Sequence, residues 1–362
     1  MSQVISIGGA TQDVFVRSDG AEVIRVSDRH QEKAWLGFDY GAKIAVDALR
    51  FTVGGGATNT AVAFAHLGLE AGCMVKVAHD SAGDNVDFVL DAAGVKTQYL
   101  VKSEHGQTGY SVILTSYEGE RSILAYRGVN TELCFEELNQ AAIAAASWIY
   151  VSSLSGEADQ LLEPLFAFAR DHDTRIAFNP GATQLRSPIE RMQALLKDVD
   201  LLFINKEEAV TLTGLTPSKP LAEHLRPPTE SLRPAYMYNL SPLLKALKAQ
   251  VKGTVVITDG SRGTQAYDGQ QLYIMPVYPT QVSDVLGAGD AFGSACTAAH
   301  ILGCDLGEAL CWGTANASGV VTDPGAHYGL MTRGEIASKC QQHPDIRPIQ
   351  MDINEEDSAT QT

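Results

Sequence analysis

A single carboxylate follows a glycine-rich turn late in the chain, in the stretch Leu286-Gly287-Ala288-Gly289-Asp290. A run of small residues, 291–301, predicts a helix directly after it. At a helix N-terminus the free amides and the helix dipole favour an anion, and Asp290 would place a base beside that anion. Phosphoryl transfer to a hydroxyl needs such a pair, because it depends on positioning and charge stabilisation. The open alternative is a turn whose aspartate only caps the helix.

A second glycine-rich stretch, Gly54-Gly55-Gly56, precedes a predicted helix that contains Asn59. Bare backbone at these glycines would let a substrate lie against the chain, and the Asn59 amide could bond two vicinal hydroxyls. Neither this stretch nor 287–289 has the spacing of a P-loop or of a dinucleotide-binding fingerprint. The alternative interpretation is a tight turn between a strand and a helix.

Further polar groups follow buried strands, at the sheet edge where open α/β proteins bind ligands. Glu208 comes three residues after Asn205 and could hold a hydrated Mg²⁺, or it could belong to a charged first helical turn. The stretch 258–263 could contact a triphosphate through its hydroxyls, its glycines and Arg262, or it could be a plain β-turn. Asn316 lies on a later predicted helix and could approach a base, although a helical asparagine is usually solvated.

The elements that would position these residues alternate between helix and strand from about residue 135 onward. Nearly continuous apolar strands, such as 200–204 before the predicted helix 206–213, suit a sheet covered on both faces, which predicts a doubly wound α/β fold. Residues 109–116 and 121–126 alternate apolar and polar and predict antiparallel strands outside that sheet. The proline-rich segment 214–240 predicts a surface insertion, and the polar segment 352–362 predicts a disordered tail.

Composition narrows the classes of partner. The chain has 362 residues and a formal net charge of −16, which argues against binding to nucleic acid and to anionic membranes. No apolar run approaches the ~18–20 residues that a membrane span needs. Six cysteines without a CxxC pair, and an N-terminus without a basic and apolar leader, predict a cytoplasmic, reduced protein.

The order of these motifs resembles the ribokinase-like (PfkB) family of carbohydrate and nucleoside kinases, which gives a predicted kinase domain over 1–345. The matching pieces are Asp13, the Gly-Gly stretch with Asn59, Val77-x-x-Asp80-x-x-Gly83, Asn179-Pro180, Asn205-x-x-Glu208, Thr258-x-Gly260-x-x-Gly263 and Asp284-x-x-Gly287-Ala288-Gly289-Asp290. The resemblance implies a doubly wound, mostly parallel sheet with a small antiparallel β lid, built from 14–50 and 107–127, that covers the sugar and forms homodimer contacts.

The resemblance also implies roles for individual residues. Asp290 would be the base, and the backbone amides of Gly287, Ala288 and Gly289 would form the anion hole for the γ-phosphoryl group of ATP. Glu208 would help to hold Mg²⁺ through water. Acceptor hydroxyls would be bound by Asp13, Gly55, Gly56 and Asn59, and the nucleotide site would be lined by Asn205, Thr258, Gly260, Gly263 and Asn316.

A monovalent cation site, for example for K⁺, is also implied near the anion hole, at Asp284 and Asp323. The sequence departs from the family pattern there, with Val285 in place of a small hydroxyl residue and Gly329 in place of a serine. These departures argue against potassium dependence. A further departure is Ser155, in the region where ribokinases present a glutamate to the sugar, so ribose itself is not implied.

We therefore expect an ATP-dependent kinase that phosphorylates a primary hydroxyl of a small sugar. A nucleoside kinase of the adenosine or inosine type stays open, because aromatic residues are available in the lid to stack on a base: Phe15, Phe38, Tyr40, Tyr110 and Tyr126. A non-catalytic sugar or nucleotide sensor is the alternative of another class. The intact Asp290 and its two preceding glycines argue against a sensor, which has no need of a base.

Overall fold

The computed structural model describes residues 3–18, 20–27, 32–115, 121–220 and 237–353. Within these ranges a nine-stranded sheet of order β19-β18-β17-β16-β13-β12-β11-β1-β6 forms the centre of the molecule. Its parallel strands are β1 (Val4–Ile7), β6 (Ala71–Met74), β11 (Trp148–Val151), β12 (Arg175–Phe178), β13 (Leu201–Asn205) and β16 (Thr254–Thr258). The antiparallel strands β17 (Thr264–Tyr267), β18 (Gln271–Met275) and β19 (Ile349–Asp352) extend one edge. The predicted doubly wound α/β fold is confirmed.

Helices cover both faces of this sheet because successive strand residues point to opposite sides. In β11, Ile149 and Val151 pack into one core, whereas Trp148 and Tyr150 pack into the other. The first core is covered by α3 (Gln140–Ala145), α4 (Leu162–Asp171), α6 (Ile189–Leu196), α7 (Lys206–Thr213) and α8 (Ser241–Lys248). The second is covered by α1 (Gly56–His66), α9 (Ala288–Ile301), α10 (Leu306–Val320) and α11 (Arg333–Gln342). The short helix α5 (Ala182–Leu185) follows β12, and α2 (Ser81–Ala92) packs beside α1.

A second, smaller sheet lies where the sequence predicted the lid, and we call it the lid. Its strands are β2 (Thr11–Arg17), β5 (Ala48–Gly54), β9 (Gly109–Thr115) and β10 (Arg121–Tyr126), in the order β10-β9-β2-β5. Between β2 and β5 along the chain, β3 (Glu22–Ser27) and β4 (Glu32–Gly37) form a separate antiparallel pair. These strands lie within the predicted lid segments or at their margins. One pairing differs from the expected antiparallel pattern, because β2 and β9 run parallel.

Strand register divides the lid sheet into two faces. Asp13 lies opposite Thr52 on β5 and opposite Ser111 on β9. The face that these residues share, which we call the inner face, also carries Phe15, Arg50, Ile123 and Arg121. The outer face carries the intervening residues Gln12, Val14, Leu49, Phe51, Tyr110, Leu124 and Tyr126. Because Thr52 borders Gly325 and Arg50 lies over Tyr328, the inner face is the one turned toward the loop after α10.

The remaining strands form two short pairs, β7 (Lys76–Ala78) with β8 (Val101–Ser103), and β14 (Ser218–Pro220) with β15 (Tyr238–Asn239). The second pair joins the two ends of the predicted insertion 214–240, of which residues 221–236 lie outside the described residues.

The predicted tail 352–362 begins too early. Asp352 pairs with Gln271 as the last residue of β19, and Ile353 is only 3% exposed. The reason is that one apolar side chain at 353 is buried against the core and fixes the end of the strand. Residues 354–362 lie outside the described residues.

Candidate active site

The N-terminus of α9 presents backbone amides that have no partner in the part of the chain that the structure describes. Gly287 precedes the helix with a φ of +78°, and a Cβ there would lie 2.4 Å from the Cβ of Ala326, so only glycine fits. The first helical hydrogen bond runs from the Ala291 amide to the Gly287 carbonyl. Among the described residues nothing accepts a hydrogen bond from the amides of Gly289 and Asp290. With the helix dipole behind them, these amides suit an anion. The Ala288 amide, which the sequence also assigned to the anion hole, donates to the Val285 carbonyl at 3.3 Å, so that part of the prediction is wrong.

Asp290 lies in the first turn of the same helix, where its carboxylate can act as a base. Its Oδ2 accepts a 2.8 Å hydrogen bond from Nδ2 of Asn59 on α1. Burial raises the pKa of Asp290 to about 6, and the hydrogen bond from Asn59 opposes this by favouring the charged form. As a whole residue Asp290 is half-buried, at the end of a helix that faces open space. A base with this pKa is mostly ionised at neutral pH.

A buried phenol lies beneath Asp290. Tyr150 on β11 is fully buried, and its hydroxyl has no hydrogen-bond partner in the part of the chain that the structure describes. A Cβ at position 293 of α9 would lie 2.2 Å from that hydroxyl, which explains Gly293. Burial, and to a smaller extent the charge of Asp290, raise the pKa of Tyr150 well above its ordinary value. The phenol therefore stays neutral below the base.

The glycine stretch brings α1 close to Asp290 and to the lid. Gly55 has a φ of +101°, and a Cβ there would lie 2.4 Å from the carbonyl oxygen of Gly9. A Cβ at Gly56 would lie 3.6 Å from Oδ1 of Asp290, so the backbone borders the base directly. A side chain at Gly55 would clash with the backbone of Gly9 and Ala10, and one at Gly56 would clash with Ser152, so this close approach of α1 requires glycine at both positions.

Asp13 faces this space from the lid. It is 7% exposed, and its Oδ1 accepts a 2.8 Å hydrogen bond from the hydroxyl of Thr11. Burial raises the pKa of Asp13, and hydrogen bonds from Thr11 and Ser111 partly counteract this. A Cβ at Gly54 would lie 1.9 Å from its Oδ2, so this carboxylate lies directly over the glycine stretch. Asp13 therefore lies next to the glycine stretch.

Asn59 does not offer both ends of its amide to an acceptor, as the sequence suggested. Its Nδ2 donates to Asp290, and its Oδ1 lies 3.1 Å from Nε2 of His327. The side chain is 6% exposed. The predicted two-pronged contact with vicinal hydroxyls is therefore wrong, because protein groups already occupy both ends.

On the nucleotide side, Asn205 and Glu208 form a capping box at the start of α7. Oδ1 of Asn205 accepts from the Glu208 amide at 2.8 Å, and Oε2 of Glu208 accepts from the Asn205 amide at 2.9 Å. The alternative interpretation, in which these residues belong to the first turn of the helix, is therefore correct. The capping box occupies Oδ1 of Asn205 and Oε2 of Glu208. Burial raises the pKa of Glu208, ahead of an opposing hydrogen bond from the Asn205 amide.

The segment after β16 contains a charged cluster. Thr258 lies opposite Asn205 in the sheet, and Gly260–Arg262 form a 3₁₀ turn that ends at Gly263. Asp259 bonds Nζ of Lys206 at 2.7 Å and the Arg262 guanidinium at 2.7 and 2.8 Å. Burial raises the pKa of Asp259, but the hydrogen bonds from Arg262 and Lys206 outweigh it and the pKa is lowered. The Arg262 guanidinium, which was expected to contact a triphosphate, thus forms an ion pair with Asp259.

Asn316 is not available to a nucleotide base. It is fully buried on α10, its Nδ2 donates to the Ala291 carbonyl, and its Oδ1 accepts from the Met331 amide, both at 2.9 Å. The prediction for this residue is wrong because its amide satisfies buried backbone groups and joins α10 to α9 and to the loop before α11.

The two aspartates of the predicted cation site, Asp284 and Asp323, differ in their exposure and in their contacts. Asp284 is 9% exposed, accepts a 3.0 Å hydrogen bond from the Leu286 amide and forms an ion pair with Arg121 of the lid. Asp323 is exposed. No group of three or more His, Cys, Asp or Glu side chains that could hold a metal occurs in the ranges that the structure describes. The Asp284 carboxylate thus has a protein cation beside it.

Comparisons with known proteins identify the family. The model of the pfkB family carbohydrate kinases matches residues 21–333. Ribokinase of Bacillus subtilis is 26% identical over 93% of this chain and 98% of its own length, and 5-dehydro-2-deoxygluconokinase of Halalkalibacterium halodurans is 29% identical over 81% and 87%. The structure of Arabidopsis thaliana ribokinase complexed with ribose and ATP superposes with a TM-score of 0.73 at 20% identity, over 93% of this chain and 98% of that one.

The chain belongs to the pfkB family of carbohydrate kinases. It is thus a phosphotransferase with an alcohol group as acceptor, and the family that its motifs resemble is confirmed. In the described ranges no helix is both long enough and apolar enough to cross a membrane.

Sequence reasoning missed His327, Tyr150 and Arg121. His327 and Arg121 approach the site only through the tertiary fold, from a loop and from the lid. Tyr150 lies on β11, and the glycine in the facing helix, Gly293, was the one available sign that a large side chain lies there.

Proposed function

We propose that the protein transfers the γ-phosphoryl group of ATP to a primary hydroxyl of a small sugar. The observation that carries this proposal is the N-terminus of α9, where the Asp290 carboxylate and the unpaired amides of Gly289 and Asp290 lie within one helical turn. A proton acceptor and an anion site this close together serve the attacking oxygen and the transferred group at the same time.

In the proposed reaction the acceptor hydroxyl gives its proton to Asp290 as its oxygen forms a bond to the γ-phosphorus. The bond from that phosphorus to the β–γ bridging oxygen breaks, and ADP leaves with the electron pair. The amides of Gly289 and Asp290 would stabilise the negative charge on the oxygens in transfer. Asp13, on the inner face of the lid, would accept hydrogen bonds from further hydroxyls of the acceptor.

Mg²⁺, when bound with ATP, would neutralise charge on the phosphates. Glu208 suits a contact through water, since the capping box uses only its Oε2. Asn205, Thr258, Gly260 and Gly263 would line the nucleotide site at the carboxyl ends of β13 and β16. We propose no potassium requirement, because Arg121 already supplies positive charge to Asp284.

A small sugar is favoured as acceptor by the lid. Of the aromatic residues considered for base stacking, Tyr110 and Tyr126 lie on its outer face, away from Asp13. The names of the two relatives above are those of sugar kinases. A nucleoside remains the second candidate because Phe15 does lie on the inner face, two residues beyond Asp13.

The test is a screen for ADP release from MgATP with pentoses, hexoses and nucleosides, with Asp290→Asn measured alongside. We expect turnover with a sugar and a loss of about 10²–10⁴-fold in kcat for the variant, since general base catalysis contributes that much. ATP binding should persist in the variant. A near-normal rate of Asp290→Asn would refute the mechanism, and ATP binding without turnover on any acceptor would favour the sensor.

A further inference from the structure

Three side chains that are distant in sequence form one hydrogen-bonded row beside the anion site. Nε2 of His327, in the loop after α10, lies 3.1 Å from Oδ1 of Asn59 on α1. Nδ2 of Asn59 in turn donates to Oδ2 of Asp290 on α9 at 2.8 Å. The row thus ends on the carboxylate that the proposed function uses as its base.

The direction of each hydrogen bond follows from the chemistry of the groups. An ionised carboxylate only accepts, so the Asn59 amide must turn its NH₂ end toward Asp290. This leaves the Asn59 oxygen facing His327, and that oxygen also only accepts. Nε2 of His327 must therefore carry a hydrogen, which fixes the tautomer of the ring.

His327 is suited to this task as a neutral donor. Burial lowers its pKa to about 4, and the charge of His66 at the end of α1 adds a smaller effect in the same direction. The other titratable or charged groups around the row are Tyr150 from β11, Asp13 and Arg50 from the lid, and Tyr328 beside His327. None of these is hydrogen-bonded to Asn59.

We propose that His327 is a positioning residue that holds the Asn59 amide in the one orientation that donates to Asp290. The inference rests on the proposed function for its role in turnover. Without the imidazole N–H, the two ends of the Asn59 amide are no longer distinguished on the His327 side. The amide can then rotate and place its oxygen against Asp290, which disfavours the ionised base.

The test compares His327→Leu, which removes the donor, with His327→Gln, whose amide N–H restores one. We measure kcat/KM against pH for the full-length enzyme. In the leucine variant we expect the acid limb to move up by about 0.5–1 pH unit, because a hydrogen bond that favours the carboxylate is weakened. At pH 5, on the acid limb, kcat/KM should fall by about 3–10-fold, whereas at pH 7 it should fall by no more than about twofold, and the glutamine variant should recover most of both changes.

The matched control is His66→Gln, which removes the neighbouring exposed histidine and should leave the acid limb in place. A merely structural role of His327 would lower the melting temperature without moving the limb, and an unmoved limb overturns the proposal. It is also overturned if His327→Gln restores the melting temperature but not the pH profile. If His327→Leu does not fold, His327→Met serves as the variant without a donor.

A second readout separates this proposal from the function on which it rests. The carboxyl ¹³C signal of Asp290, assigned by its loss in Asp290→Asn, is titrated in the wild type and in the His327 variants. An upward shift of its midpoint in the leucine or methionine variant, reversed in the glutamine variant, supports the positioning role even if no acceptor is ever phosphorylated. An unchanged midpoint overturns it, whatever the enzyme does with ATP.

Discussion

Asp290 is ionised in the folded protein against the preference of its surroundings. Burial raises its pKa from 3.8 to about 6, and the hydrogen bond from Asn59 compensates only in part. The folded state therefore binds a proton more readily than the unfolded chain does. Below pH 4 the carboxyl is protonated in both states, and as the pH rises toward 6 and above, keeping it ionised costs stability. This cost is the physical reason why the residue is a usable base at neutral pH.

From this we predict that Asp290→Asn stabilises the protein while it removes activity. At pH 8 its free energy of unfolding should exceed that of the wild type by on the order of 1–3 kcal/mol, because the desolvated charge is gone. At pH 4 the two proteins should unfold with nearly equal free energies. Urea unfolding at both pH values measures the difference. An asparagine variant that is less stable at pH 8 would show that burial does not govern this carboxyl.

At the scale of single elements, two glycines at the start of α9 should respond differently to the same change. A Cβ at Gly287 would clash with Ala326 in a backbone of positive φ, whereas a Cβ at Gly289 meets nothing within 4 Å. We predict that Gly287→Ala lowers the melting temperature. Gly289→Ala should keep it, or raise it slightly through helix propensity of up to ~1 kcal/mol, but should lower kcat/KM for ATP by filling the anion site. Thermal unfolding and ATP kinetics distinguish them, and equal behaviour would argue against the anion site.

The lid contacts the loop before α9 and the loop after α10 through two arginines of its inner face. Arg121 pairs with Asp284, and Arg50 lies 3.9 Å from the ring centre of Tyr328. We predict that Arg121→Gln raises KM for the acceptor by about 3–10-fold, in line with the loss of a partly buried ion pair worth ~1 kcal/mol. Arg17→Gln, in the same row of the lid, is the matched control and should change little. Steady-state kinetics with varied acceptor measure both, and equal effects would contradict a specific role for Arg121.

The sequence predicted a helix correctly where a local motif marks its start and its end. The bounds of α7 were predicted correctly because a capping box opens it at Asn205 and Gly214, with φ 68°, ends it. α11 was missed because Ile336 is its one buried residue, so it carries almost no apolar periodicity. The row of His327, Asn59 and Asp290 had no local signal at all, since its members lie 268 and 231 residues apart in sequence.

At the scale of the whole molecule, the lid leaves an apolar surface on the side away from the active site. Leu49, Phe51 and Leu124 on its outer face are 53%, 56% and 61% exposed. Leu124 lies on the edge strand β10 and Leu49 and Phe51 lie on the opposite edge strand β5, with Val112 and Val14 between Leu124 and Phe51 in one row across the sheet. A two-fold axis would bring the same face of a second copy against this one. A net charge of −16 keeps the rest of the surface mutually repulsive, which leaves this patch as the favoured place for contact.

We predict a homodimer through this outer face. Light scattering after size exclusion should give twice the chain mass at micromolar concentration, and Leu124→Glu should shift the protein to monomer, because a charge would be buried in the contact. Ile123→Glu is the matched control: it is the neighbouring residue on β10, 44% exposed, but it points to the inner face and should leave the dimer intact. A wild type that is monomeric under these conditions, or an Ile123→Glu variant that dissociates as readily as Leu124→Glu, would contradict the outer face as the interface. Higher salt should strengthen the dimer, since it screens the repulsion between two acidic chains while the apolar contact is retained.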